Sequence, residues 1–70
     1  MNSTLSQRLV LPVYNERHLV KDVSESLEEA IRKNPKLRVV VVDDGSEDGT
    51  GDAFKRQLKP FTGIWVLIYQ

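Results

Sequence analysis

The sequence predicts an α/β fold, three parallel strands alternating with two helices in the order βαβαβ and stacked in three layers, α/β/α. Three observations carry this reading. Apolar runs at 8–13, 38–43 and 64–69 have strand length, and the two segments between them show helical spacing of apolar residues. The middle run holds Val39-Val40-Val41-Val42, a continuous β-branched stretch of the kind found in strands buried on both faces. Strands that alternate with helices are joined by right-handed crossovers and therefore run parallel.

The first strand, 8–13, is built on Leu9-Val10-Leu11 and gives way at Pro12-Val13-Tyr14, where proline ends ladder donation. Asn15 is suited to cap the first helix, with Glu16 in the first turn against the helix dipole. Leu19, Val20, Val23, Leu27, Ala30 and Ile31 mark the buried face of that helix, and Asn34-Pro35 stops it. The second strand, 38–43, runs into a turn-rich loop at 43–50. A shorter helix over 50–58 is expected to bury Ala53, Phe54, Gln57 and Leu58. A break at 60–63 leads to a third buried strand, 64–69, with Trp65 in the core. In open α/β sheets ligands sit beyond the carboxyl ends of the strands. Any site is therefore expected where 12–16, 43–50 and 69–70 converge.

Composition narrows the function. Seventy residues make at most one small domain or part of a larger one: a polar tail at 1–7 and the domain at 8–70. There is no cysteine, so a disulfide framework and a cysteine-ligated metal are excluded. Ten basic and ten acidic residues cancel, which removes the electrostatic case for a nucleic-acid binder. No apolar run approaches the ~18 residues of a membrane span, and the amino-terminal residues lack the apolar core of a secretory signal. The expected location is the cytoplasm, or the cytoplasmic face of a membrane if further sequence supplies an anchor. Asn2-Ser3-Thr4 fits the N-glycosylation pattern and, without a signal, reads as chance.

The loop after the second strand carries Asp43, Asp44, Glu47, Asp48 and, just beyond, Asp52, with no basic residue before Lys55. A solvated turn with capping aspartates accounts for it minimally. Asp44-x-Ser46-x-Asp48-Gly49 opens like a calcium loop, but Lys55 stands where a bidentate Glu belongs and a strand precedes it. Glycines 45, 49 and 51 do not form G-x-G-x-x-G, and carboxylates repel phosphate. A receiver-like phosphoacceptor needs its aspartate pair after the first strand, not the second.

Both loops are explained together by a resemblance. Val10-Leu11-Pro12-Val13-Tyr14-Asn15-Glu16, followed by Val39-Val40-Val41-Val42-Asp43-Asp44-Gly45-Ser46-x-Asp48-Gly49-Thr50, resembles the start of a family 2 glycosyltransferase. The resemblance spans 9–69 and looks closest to the dolichol-phosphate or polyprenyl-phosphate mannose and glucose synthases. It implies the amino-terminal half of a GT-A, Rossmann-like nucleotide-binding domain. It also implies a nucleotide-sugar pocket lined by Pro12, Tyr14 and Glu16 at the base and ribose, a backbone contact at Val42, and an acceptor for a base N–H at Asp44. Asp43, Gly45 and Ser46 are expected to shape the loop, and Asp48 and Thr50 to cap the second helix.

The same resemblance implies a GDP- or UDP-sugar donor, a lipid-phosphate acceptor and a magnesium or manganese ion for the full-length family. The Asp-x-Asp motif that holds the ion, and the acceptor half, follow the third strand in such enzymes and lie beyond Gln70. No catalytic or metal residue is therefore assigned here, and the 70-residue chain is expected to be catalytically silent. The reading from another class is a non-catalytic α/β interaction module or the receiver-like domain. An open apolar edge at the first strand is expected to favour self-association. His18, and the cluster Lys55, Arg56 and Lys59, read as solvated surface.

Overall fold

The structure, a computed structural model, describes residues 7–69. The tail at 1–6, its glycosylation pattern, and Gln70 lie outside the described residues. The elements run β1 (Gln7–Val13), a 3-10 turn (Arg17–Leu19), α1 (Val20–Lys33), β2 (Leu37–Asp44), α2 (Thr50–Leu58) and β3 (Ile64–Tyr69). The sheet order is β1-β2-β3 with both pairings parallel. Gln7 stands opposite Leu37 and Val13 opposite Asp43, while Val39 stands opposite Ile64 and Asp44 opposite Tyr69.

Because the order steps one way, β1 to β2 to β3, two right-handed crossovers set both helices on the same face of the sheet. The helices accordingly pack on each other as well as on β2. Side chains alternate across a strand, so Leu11, Val13, Val39, Val41, Ile64 and Val66 face the helices and join Val20, Leu27, Phe54 and Leu58 in the core. Val39, Val41 and Phe54 are fully buried.

Two expectations change here. The described residues build two of the three expected layers, so β2 is sealed on one face: Val39 and Val41 are buried, Val40 and Val42 only half-buried. β3 alternates in the same way, and Trp65, Leu67 and Tyr69 stand on the helix-free face. Trp65 is 52% exposed and is not a core residue. A run of six apolar residues reads as fully buried from sequence, but burial follows the layers actually stacked on it.

α1 starts later than capping chemistry suggests. Leu19 is its cap position, and neither that residue nor the 3-10 turn before it has a side-chain cap. Its charged flank carries the i,i+4 pairs Glu28–Arg32 (3.9 Å), with Glu28 half-buried, and Glu29–Lys33 (3.2 Å), which is exposed; such pairs are worth at most about 0.5 kcal/mol each. The carboxyl end closes as expected at Asn34, whose N–H donates to the Ala30 carbonyl. On α2, Gln57 is exposed rather than buried; Thr50 and Gly51 of the first turn are buried instead.

Ser24 sits on the buried face of α1, fully enclosed, and its Oγ has no hydrogen-bond partner. An enclosed hydroxyl left unpaired costs about 1–3 kcal/mol, and alanine is the better helix former. Ser24→Ala is therefore expected to stabilise the chain by about 1 kcal/mol, read as a rise in Tm by circular dichroism. A fall in Tm would mean that the hydroxyl has a partner in solution.

Candidate functional site

The carboxyl ends of the parallel strands lie on one edge, and the loops that leave β1 and β2 are hydrogen-bonded to each other there. Asn15 holds φ of 48°, the left-handed region, the single such non-glycine among the described residues. Its backbone N–H donates to Ser46 Oγ at 2.8 Å, and its Oδ1 accepts from Glu47 N–H at 2.8 Å. Next to it, Glu16 N–H donates to Thr50 Oγ1 at 2.9 Å, and Arg17 N–H donates to Asp48 Oδ2 at 3.2 Å. Arg17 Nη1 also donates to the Asp48 carbonyl at 3.4 Å, so five bonds join segments more than thirty residues apart in sequence. Asn15 is not a helix cap; it is spent on this junction.

Asp48 and Thr50 form the hinge of the junction. Asp48 Oδ1 accepts the Thr50 N–H at 3.0 Å and also the Thr50 hydroxyl. Thr50 Oγ1 receives the Glu16 N–H, so its own proton is directed to Asp48. The Thr50 hydroxyl, with the backbone N–H groups of Arg17 and Thr50, holds the Asp48 carboxyl below its ordinary value. Asp48 is thus ionised and fully accepting at neutral pH. Asp48 was expected to cap α2; the cap position is instead Gly49, which has no side-chain cap, and Asp48, one residue earlier, takes the N–H of the first helical residue. Thr50 is that first residue and gives its oxygen to the other loop.

Asp43 is buried, 2% exposed, with Oδ1 accepting the Ser46 N–H at 3.0 Å. Above it runs the first turn of α2. A Cβ on Gly51 would stand 2.4 Å from Asp43 Oδ2 and 2.8 Å from Ile68 Cδ1 and Cγ1, so only glycine lets the helix come this close. The sequence reading passed over Gly51, since its constraint is a tertiary contact with no local signature.

The five residues singled out from sequence divide into four and one. Pro12 and Val42 are register partners, and they share with Asp44 the helix-free side of the sheet. Tyr14 follows on from β1 and is 53% exposed. Glu16 turns back, with Oε1 accepting the Tyr14 N–H at 3.2 Å, and is half-buried. Leu67, opposite Val42, and Tyr69, opposite Asp44, extend the same surface and were not predicted. Their signal was the alternation of β3, hidden by its uniformly apolar composition. Pro12, Val42 and Leu67 thus lie side by side on the helix-free face, with Asp44 and Tyr69 at its carboxyl end and the exposed Tyr14 in the loop that leaves β1. A planar ring bearing N–H donors suits this surface.

Two grooves lie elsewhere. One, with Lys55, Lys59 and Trp65, runs between α2 and β3, and the other, with Arg8, Val10 and Arg38, lies on the open sheet face. Both are lined by apolar and cationic side chains, with no carboxylate or hydroxyl to orient a ligand, so neither is the candidate site. His18, Lys55, Arg56 and Lys59 are exposed, as read from sequence.

The glycosyl transferase family 2 model matches residues 9–69, a span that takes in both loops and all three strands. The chain belongs to this family. Among solved structures, it resembles the mannosyltransferase PcManGT from Pyrobaculum calidifontis, in complex with GDP-Man and Mn2+. The TM-score is 0.70 and the identity 31%, over 89% of this chain. The chain covers 18% of that protein's length. No curated protein matches it.

The fold is thus the amino-terminal portion of a GT-A glycosyltransferase domain. The manganese of the neighbouring structure supports metal use in the family, but the described residues do not fit such an ion. No three His, Cys, Asp or Glu side chains among them are grouped to hold one, and Asp43 and Asp48 are already engaged by Ser46, Thr50 and Arg17.

Proposed function

We propose that this chain is the nucleotide-sugar-binding portion of a family 2 glycosyltransferase that transfers a hexose to an acceptor. The observation that carries the reading is the union of Pro12, Val42, Asp44 and Tyr14 at the carboxyl edge of a parallel sheet in a chain of this family. The base rests on this apolar face beside the Tyr14 ring, and Asp44 accepts a ring N–H. Glu16, held near Tyr14, takes a ribose hydroxyl. GDP is favoured as the donor nucleotide because the solved relative binds GDP-Man; UDP is the alternative. A polyprenyl or dolichyl phosphate is the proposed acceptor, on the cytoplasmic side.

The test is an amide NMR titration of the 70-residue chain with GDP and then UDP, magnesium present. Shifts at Tyr14, Glu16, Val42 and Asp44 with one nucleotide are the expected result and identify the donor base. A well-dispersed spectrum that ignores both nucleotides would overturn the reading and leave a protein-interaction module. Running the sample at two protein concentrations also tests the free edge of β1, where Leu9 and Val10 are 44% and 64% exposed. Broadening confined to β1 at the higher concentration is expected from self-association; identical line widths exclude it.

A further inference from the structure

We infer that Asn15 is a positioning residue that joins the two strand-end loops into one cooperative unit, and that this union sets the geometry of the nucleotide surface. The inference rests on the nucleotide-binding reading above for its second half only. Tyr14 belongs to the β1 loop, and Asp44 to the end of β2. Their relative placement is fixed on one side by the sheet register, which ends at Val13 opposite Asp43. Beyond that point, among the described residues, every hydrogen bond between the two loops involves a side chain. Asn15 makes two of them in opposite senses, its N–H to Ser46 Oγ and its Oδ1 from Glu47 N–H, both 2.8 Å.

Asn15 is suited to this place on two counts. Asparagine tolerates the left-handed backbone better than other residues with a side chain. It also carries an acceptor short enough to reach across. The adjacent bonds, Glu16 to Thr50 and Arg17 to Asp48, then follow in series along the same seam. Opening the Asn15 contact should release them as well, although their own acceptors are untouched. A set of independent contacts would not behave this way.

Asn15→Gly separates the side-chain bond from the backbone shape, because glycine adopts φ of 48° without strain. Amide hydrogen exchange on the unliganded chain is the first readout. The expected result is faster exchange at Glu47 and, with it, at Glu16 and Arg17, roughly 3- to 10-fold, with the strand amides unchanged. Faster exchange at Glu47 alone would overturn the cooperative unit. Ser46→Ala, which removes the other bond, should produce the same pattern. Asn15→Asp keeps the acceptor and should return Glu16 and Arg17 to their original rates.

The second readout is GDP affinity from the same spectra. Asn15→Gly should weaken binding roughly 3- to 10-fold, and Asn15→Asp should regain part of that loss. Equal affinity in the original chain and in Asn15→Gly would overturn the positioning role while leaving nucleotide binding intact. No GDP-dependent shift in the original chain would remove the nucleotide reading and the positioning role with it. The exchange pattern would then decide the cooperative unit alone.

Discussion

Replacing Phe54 by alanine is expected to unfold the chain at room temperature. Phe54 is completely buried on α2, inside the one core that the helices and sheet share, with Val39, Val41 and Leu58 enclosed in the same cluster. Truncating an enclosed phenylalanine costs about 3–5 kcal/mol, because the transfer energy of the ring is lost and the cavity only partly collapses. Native domains hold only about 5–15 kcal/mol in total, and one of this length belongs at the low end. The loss therefore equals most of the stability present. Phe54→Leu, which keeps most of the volume, should retain a cooperative melt at reduced Tm. Far-UV circular dichroism distinguishes the two. A Phe54→Ala chain that still melts cooperatively near the original Tm would show that the core is not centred on this ring.

Gly51→Ala is expected to destabilise by about 1–3 kcal/mol, the usual cost of overpacking, although alanine is ordinarily the better helix residue by about 1 kcal/mol. The new methyl would meet Asp43 Oδ2 at 2.4 Å and two carbons of Ile68 at 2.8 Å. The Ile68 tip can rotate away. Asp43 cannot do so freely, since its other oxygen is fixed by the Ser46 N–H and the residue is buried. The first turn of α2 must therefore lift, and Thr50 with it. For a chain of this size, each kcal/mol is about 4–8 °C in Tm, so a thermal melt resolves the effect. The same substitution should perturb the amide of Glu16, which donates to Thr50. An unchanged or raised Tm would show that helix propensity outweighs the clash.

Much of the fold was legible because its elements are local. The run at 64–69 and the helix at 50–58 match β3 and α2, and β1 and β2 extend only slightly beyond the runs that marked them. The meeting of the strand ends was legible too, since it follows from parallel topology. Three things were not. Asn15 carries the same residue type as a helix cap, and only the presence of Ser46 and Glu47 across the gap diverts it. Gly51 looks like any glycine in a weak helix until Asp43 is placed beneath it. Trp65, Leu67 and Tyr69 are apolar and yet exposed, because a strand's composition does not reveal how many layers cover it. The candidate pocket followed from matched motifs, but Leu67 and Tyr69 joined it only once the register was known.

The parallel register also dictates the order of assembly. Gln7 finds Leu37 thirty positions on, and Val39 finds Ile64 twenty-five positions on, so each sheet bond awaits closure of a long loop. α1 and α2 can begin to wind from neighbouring residues alone; the strands cannot pair that way. β2 is the one strand with two partners in the described sheet. Of the described strands β1 is made before β2, so its partner in this sheet, Leu37–Asp44, follows it from the ribosome. The apolar residues of β1 thus wait on β2, through which both pairings of the described sheet run.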